Sequence, residues 1–522
     1  MGPIKTGNGN LTSDKRVAVE ASNLSASFRL TSDGSTHVGL PTFAGIRKRT
    51  MLGLDVSTML ISGEGYSLGN NAMLNWLCDP MRQQRMVTRR DCLRAGFLGL
   101  GGLTLADLYR VRAAAGQRTA PETAILLLFV HGGPSQLETY DLKPNAPSEI
   151  RGQFSPIRTN VSGIEVCEHL PEHAQCADRY SLIRSCSHDQ ANHFEGHARF
   201  LSGYGQMKTG TGESHYPMVG AVVNRTCKGR TPGLPAAVAV GGVVLNGPDY
   251  SPGIAQGYWS PIYRPAITNG GLRDASLTVG SATLGNRLQL LSNFDRLRAD
   301  LDIAGTMDSL DAFNREAVEV LTTDRARQAF DLSLEDPKVR EKYGDGYGQE
   351  VLMGRRLVEA GISFVTVRIP GSAPNTKAYD WDDHAVNWDM PTAMLSRLPK
   401  YDHVISTVIN DLYDRGLDKR VLLVVTGEFG RTPRLEFKDG RIGRDHWPSA
   451  MSILMSGGGI KTGQVIGATN SKAEHPVDQP LDPQDILATM YQHLGIDFTR
   501  EFPDPQGRPI ALSQGKPVSD LY

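Results

Sequence analysis

The chain has 522 residues, 40% of them hydrophobic, with 55 Lys and Arg set against 56 Asp and Glu. That composition supplies core enough for one large or two ordinary domains, and the near-cancelling charge excludes a global electrostatic hold on nucleic acid or on an anionic membrane. No apolar stretch reaches the roughly 18 to 20 uninterrupted residues of a membrane-spanning helix, so no membrane span is expected.

In chain order, residues 1–87 come first, rich in Ser, Gly and Thr and without helical or strand periodicity; they read as an unstructured or surplus N-terminal extension. From Thr88 the run TRRDCLRAGFLGLGGLTLADLYRVRAAAG opens with the pair Arg89-Arg90, continues mildly apolar and Gly-rich, and ends in Ala113-Ala114-Ala115. This is the pattern of a twin-arginine signal peptide over 88–115 with a small-residue cleavage site. An amphipathic helix is the competing reading, and so many glycines in one short run argue against it. Because such signals lie near a start codon, translation is expected to begin at Met73, Met81 or Met86, and residues 116–522 are expected to form a single exported domain. The twin-arginine export machinery is then a partner, and the location is periplasmic or extracellular.

The six cysteines, Cys78, Cys92, Cys167, Cys176, Cys186 and Cys227, form no CxxC pair, which argues against a thiolate zinc site or a dithiol redox site. CDPMR, Cys78 to Arg82, matches the C-x-P-x-R pattern that sulfatases convert to formylglycine, but it precedes the signal and would be removed with it. The four cysteines beyond the signal could pair in an oxidising compartment, in no order that the spacing fixes.

The short β-branched apolar runs AILLLFV (Ala124 to Val130), ISFVTVRI (Ile362 to Ile369) and VLLVVT (Val421 to Thr426) do not alternate, as strands covered on both faces do not. SLIR (from Ser181) and AAVAVGGVVL (from Ala236) are weaker strand candidates. Helical patterns lie between: the charged segment from about Leu284 to Lys342, EVLMGRRLVEAG, and AMLSRLPKYDHVISTVINDLYDRG, the last two stopped by Gly. Strand, helix and strand in alternation predict an α/β fold, a doubly wound, mostly parallel central sheet flanked by helices, whose chemistry gathers beyond the carboxyl ends of the strands.

Four loops beyond those ends hold histidines and carboxylates together. HGGPSQLETYDLKP has His131, Ser135, Glu138 and Asp141; SCSHDQANHFEGHARFLSG has His188, Asp189, His193, Glu195 and His197. YDWDDHAVNWD has Asp380, Asp382, Asp383, His384, Asn387 and Asp389, and GEFGRTPRLEFKDGRIGRDHWP has Glu428, Arg431, Asp445 and His446. A lone histidine after a strand is ordinarily a satisfied core or surface residue; four such clusters at one rim point to divalent metal, one or two ions. Mixed imidazole and carboxylate suits Zn or Mn, and carboxylate alone suits Ca or Mg. Asp382 and His384 stand two apart and so face the same way in an extended segment, whereas the neighbours Asp445 and His446 diverge, one free to bind and the other to orient. Two ions about 4 Å apart clamp the attacking and leaving oxygens of a displacement at phosphorus or sulfur. Arg431 has two roles open to it: a guanidinium fork for a tetrahedral oxyanion, or a salt bridge that pins the loop.

The twin-arginine signal, GGPSQLETYDLKP, SHDQANH, WDDHAVN, GEFGRTP, GRDHWP, GGGIKTGQVIGAT and PLDPQDILATMYQHLGID together resemble the bacterial family known as domain of unknown function 1501, placed in the alkaline phosphatase and sulfatase-like superfamily. The resemblance spans nearly all of the chain beyond the signal and implies an alkaline phosphatase-like fold. It implies Asp382 and His384 as a metal pair, Glu428 as the carboxylate after a late strand, and His446 as the final metal histidine with Asp445 beside it. It also implies His188 and His193 as the family's histidine block.

Two features depart from the superfamily pattern. His131 stands where a metal-binding Asp is usual, and Ser135 is the nearest nucleophile candidate, with a turn-capping role as its alternative. A metal-activated water could replace a side-chain nucleophile. The function expected is an exported metal-dependent hydrolase of phosphate or sulfate esters, small-molecule or polysaccharide. Metal-dependent transfer or isomerisation of a phosphoryl group is a lesser alternative, and a non-catalytic exported binding or envelope protein that keeps the fold is the other.

Overall fold

The structure is a computed structural model and describes residues 123–208, 213–227, 230–231, 233–241, 253, 255–268 and 324–522. The expected N-terminal extension, the twin-arginine signal, the CDPMR run and residues 284–323 of the charged segment lie outside the described residues.

Eight strands make one central sheet: β1 (Ala124–Val130), β2 (Tyr180–Cys186), β3 (Ala237–Val240), β4 (Ala266–Thr268), β5 (Phe364–Ile369), β6 (Val421–Thr426), β7 (Met451–Gly457) and β8 (Gln464–Ile466). Their order across the sheet is β8-β2-β7-β6-β1-β5-β3-β4. β1 lies at the centre, parallel to β5 with Leu127 opposite Thr366 and parallel to β6 with Leu127 opposite Val424.

The runs Ala124 to Val130, Ile362 to Ile369, Val421 to Thr426 and SLIR each hold a strand, as does the first part of AAVAVGGVVL, whose residues 242–245 lie outside the described residues; the reason the runs do not alternate is visible in β1. Leu126, Leu128 and Val130 pack into the core under helices α3 (Tyr347–Ala360) and α4 (Met390–Asp414). Ile125, Leu127 and Phe129 pack into the opposite core under α1 (His193–Ser202), α2 (Val219–Thr226) and α5 (Pro483–His493). Helices on both faces leave no polar side for the strand to show. α3 stops where Gly361 turns left-handed at φ 108°, as its Gly stop predicted. Cys167, Cys176, Cys186 and Cys227 are buried free thiols, so the disulfides considered for them are not formed. Among the described residues no helix is long and apolar enough to cross a membrane.

The one antiparallel member, β7, pairs with β6 and β2. It runs backwards because the chain leaving β6 never crosses under the sheet. It stays on the rim as two short ribbons, Glu436–Lys438 with Arg441–Gly443 and Gly430–Arg431 with His446–Trp447, and re-enters from the same side. That return delivers Asp445 and His446 to the edge where β1, β2, β5 and β6 end.

Candidate metal centre

Four chain segments meet at this edge, and two glycines let them touch. Gly132, directly after β1, has φ 108°, and a Cβ there would lie 2.7 Å from the Asp382 nitrogen and 2.8 Å from the Trp381 carbonyl carbon. A side chain cannot fit against that backbone. The close approach aims the Gly132 N–H at Glu428, 2.9 Å from Oε1 and 3.2 Å from Oε2, and lets the Trp381 N–H reach the His131 carbonyl at 3.1 Å. Gly133, at φ 75°, likewise leaves room for the Phe429 ring. α1 begins with Asn192, whose side chain accepts from the Phe194 N–H at 3.0 Å, and so presents His193 and His197, four apart, on one helix face. In the 380s loop consecutive side chains diverge. Asp383 turns into the core to Arg397 Nη2 (2.8 Å) and Trp388 Nε1 (2.7 Å), while Asp382 and His384 turn together to the rim.

Around Asp382 Oδ1 stand His384 Nε2 at 2.9 Å, His446 Nε2 at 2.9 Å and His193 Nε2 at 3.3 Å. His384 and His446 Nε2 are themselves 2.9 Å apart. In each ring the other nitrogen has a fixed acceptor: Nδ1 of His384 donates to Asp445 Oδ1 (2.6 Å), that of His446 to the Ala191 carbonyl (2.6 Å), and that of His193 to Glu428 Oε1 (2.6 Å). Each neutral ring therefore carries its hydrogen on Nδ1 and turns a lone pair inward. Three lone pairs and a carboxylate oxygen at such distances repel one another unless positive charge lies among them. Imidazoles anchored through Nδ1 to carboxylates or carbonyls are the arrangement that orients metal-binding histidines, so these residues fit a divalent cation. The four side chains are 18 to 25% exposed, open enough to meet a ligand from solvent.

In the metal-free chain protons take that place. Burial works against the charge on His193, but its bonds to Asp382 and Glu428 prevail and raise it to about 9. Burial likewise opposes the charge on His384, and its bond to Asp382 outweighs it and raises the ring above its ordinary value. Burial dominates at His446 and lowers it. Burial would raise Asp382, yet bonds from His193, His384 and His446 and the charge of Arg431 hold it far below the carboxylate range.

Behind this outer group lies a second, with Glu428 0%, His197 1% and His131 8% exposed. Burial pushes His131 down to about 3 and His197 to about 4, so both rings are neutral at pH 7. Burial would raise Glu428, but the neighbouring histidines, His197 foremost, hold it below the carboxylate range.

Of the residues the sequence nominated as ligands, Asp382, His384, His446 and His193 converge directly. Asp445 stands behind His384, and Glu428 stands behind His193, each accepting the Nδ1 hydrogen of the ring in front of it. His188 is turned away from the outer group: its Nε2 donates to the Glu428 carbonyl at 2.7 Å and its Nδ1 accepts the Gln190 N–H at 3.2 Å, which occupies both nitrogens and places it as a brace for the 428 backbone. His131 and His197 were seen in the rim loops but not selected. The i, i+4 spacing in HFEGH was the available signal for His197, and for His131 it was the position directly after the first strand.

The two residues expected to do chemistry, Ser135 and Arg431, are both buried. Ser135 is 0% exposed; its hydroxyl donates to Glu138, which is paired with buried Arg444 at 2.6 Å, and its carbonyl accepts from Thr139 Oγ1 at 2.7 Å. It opens the 3₁₀ turn Gln136–Glu138, although its side chain caps no backbone N–H there. Arg431 is also 0% exposed. Its Nε donates to Gly133 O (2.8 Å), Nη1 to Arg444 O (3.0 Å), and Nη2 to Gly132 O, to Trp381 O (3.1 Å) and to Asp382 Oδ1 (2.6 Å). These bonds tie Arg431 to three rim segments, and each of its three nitrogens donates at least once.

No curated protein matches the chain. Solved structures similar to it include a sulfatase from Pseudoalteromonas sp., 12% identical over 75% of this chain and 71% of that one, with a TM-score of 0.31. The phosphonate monoester hydrolase of Agrobacterium radiobacter is 11% identical over 76% and 77%, with a TM-score of 0.30. A mutant TAB5 alkaline phosphatase with Mg bound in its M3 site is 12% identical over 72% and 99%, with a TM-score of 0.30. None of the three is similar enough to assign a residue role or a substrate. Residues 122–522 match the family model described as "Protein of unknown function (DUF1501)", and the chain belongs to that family.

Proposed function

We propose that the chain is an exported, metal-dependent hydrolase of phosphate or sulfate esters, small-molecule or polysaccharide, working in the periplasm or outside the cell. The observation that supports it most is the meeting of three Nδ1-anchored histidines, His193, His384 and His446, on one oxygen of Asp382. These four would hold the cation, and so imidazole-rich a set suits Zn or Mn better than Ca or Mg. A divalent cation supplies Lewis-acid polarisation of an ester oxygen and makes water a competent nucleophile at neutral pH. The chain's own groups do the positioning: Asp445, Glu428 and the Ala191 carbonyl hold the three rings in one tautomer, and Arg431 fixes the shared Asp382 oxygen. With the Ser135 hydroxyl committed to Glu138, this reading takes water as the nucleophile and runs as direct hydrolysis, without a covalent ester on the chain.

The test is turnover of phosphate and sulfate monoesters by chain stripped with chelator and reloaded with Zn2+ or Mn2+. Turnover that returns with metal and is lost in Asp382→Asn and His446→Ala is the expected result. Full metal occupancy with no turnover of any ester would instead favour the second reading, a metal-holding binding or envelope protein. The observation on its side is that Ser135 and Arg431 are both satisfied internally.

A further inference from the structure

We propose that Arg368, Glu350 and Asp380 form a subsite for the hydroxyl groups of a sugar, beside the outer group, so that the ester the chain hydrolyses is carried on a carbohydrate. Arg368 stands one residue before the end of β5, opposite Phe129 of β1, and shares with Phe364 the face of the sheet that carries α1. Gly241, directly after β3, turns left-handed at φ 88°. A Cβ there would lie 2.6 Å from Glu350 Oε2 and 3.7 Å from the Arg368 carbonyl oxygen, so the missing side chain is what admits Glu350 to the end of β5. Gly371, just past β5, serves Asp380 in the same way, since a Cβ on it would collide with the Asp380 backbone.

The three side chains stand near one another without pairing. Among the described residues Arg368 makes no hydrogen bond or ion pair through its side chain, and its Nε is buried. Burial lowers Arg368 below its ordinary value, opposed only by the charges of Asp380, Glu350 and Glu428. Burial likewise raises Glu350, opposed by Arg368 alone. The Asp380 carboxylate accepts the Asp382 N–H on Oδ1 at 3.0 Å. Opposite charges held half-buried and unpaired cost stability, and a ligand that bridges them recovers it. Two carboxylates to one guanidinium leave the subsite net negative, which disfavours an anion there. Hydroxyl groups, each donor and acceptor at once, satisfy both signs: the Arg368 fork donates to neighbouring oxygens, and Glu350 and Asp380 accept their hydrogens. Asp380 is two residues from Asp382, so a sugar held there lies next to the outer group. This deepens the proposed function by naming what carries the ester; it rests on that reading for the reaction, and sugar binding itself does not.

Binding and turnover are read separately. The full chain, stripped with chelator, is mixed with unesterified glucose, galactose, mannose or N-acetylglucosamine, and contact is read by saturation-transfer NMR. At least one sugar is expected to give a signal in wild type that is lost in Arg368→Lys, which keeps the charge and removes the fork, and in Glu350→Gln. Chain reloaded with Zn2+ is then assayed on the 6-phosphate and 6-sulfate of that sugar and on 4-nitrophenyl phosphate and sulfate. In both variants the ratio of kcat/KM for sugar ester to that for aryl ester should fall about 10- to 100-fold, the loss of a charged hydrogen bond. No sugar signal in wild type overturns the subsite, as do equal signals in wild type and both variants. Wild-type turnover confined to the aryl esters, or a ratio that both variants leave unchanged, also overturns it. Sugar binding lost in the variants, with no ester turned over by wild type, supports the subsite and removes the hydrolase reading. The wild-type signal needs no variant, so a misfolded chain does not shelter the proposal.

Discussion

Replacing Asp445 isolates the effect of orienting a ligand from that of supplying one. Its Oδ1 accepts the His384 Nδ1 hydrogen at 2.6 Å, on the far side of the ring from Asp382, so in the proposed centre it would act on the cation through the ring of His384. Groups in that position typically change metal affinity 10- to 100-fold when removed, about 1.4 to 2.8 kcal/mol. Asp445→Asn keeps an acceptor and loses the charge, and falls near the low end; Asp445→Ala loses both, and falls near the high end. The side chain is 57% exposed, so either change should alter folding stability by less than about 1 kcal/mol. Competition with a chromophoric zinc chelator gives the affinities, and thermal melting of the metal-free proteins gives the stabilities. The expected order is wild type, then Asn, then Ala, with nearly equal melting temperatures. Equal affinities in all three would refute the placement of His384 as a ligand held by Asp445.

Arg431→Gln should destabilise the chain by about 3 to 5 kcal/mol, since it leaves a buried carboxylate and several carbonyls without their donor; a denaturant melt measures this, and wild-type stability with a raised KM would restore the substrate clamp. Ser135→Ala should retain ester hydrolysis while costing about 1 to 3 kcal/mol of stability through the lost partner of Glu138, and a folded variant with no turnover would make Ser135 the nucleophile after all. Metal-free chain should be most stable near pH 6.5. On the acid side, His131, His188 and His197 sit at about 3, 4 and 4 when folded and near 6.5 when unfolded, so the unfolded chain takes up protons first and stability falls as pH drops below about 6.5. On the alkaline side, His193 is held at about 9, so its contribution is complete below about 6.5 and is lost as pH climbs to 9. Melting temperatures of chelator-treated protein across pH 4 to 10 check this, and a flat profile contradicts it.

The sheet was legible because strands buried on both faces write themselves as unbroken apolar runs, and attention to the strand ends then picked out the four loops that meet at one rim. β7 was not read from MSILMSG, since nothing local tells a returning antiparallel strand from a crossover; its direction depends on the 430–447 ribbons staying on the rim. Within the rim, the shared direction of Asp382 and His384 was legible from their spacing, which local geometry controls. Which of these side chains meet at Asp382 and which stand behind them was not readable, because Asp445, Glu428 and His188 are set apart from the converging residues only by what each ring nitrogen or oxygen faces across some 60 to 240 residues of chain. Arg431 shows the same limit, as a guanidinium satisfied by carbonyls from three other segments carries no sign of it in sequence.

The central claim is that His193, His384, His446 and Asp382 share one ion, and anomalous diffraction from crystals of Zn2+-loaded chain tests it most directly. The account predicts a peak at the zinc edge within about 2.0 to 2.2 Å of the three Nε2 atoms and Asp382 Oδ1. Zinc bound elsewhere, with those four atoms still packed against one another at 2.9 to 3.3 Å, would contradict it.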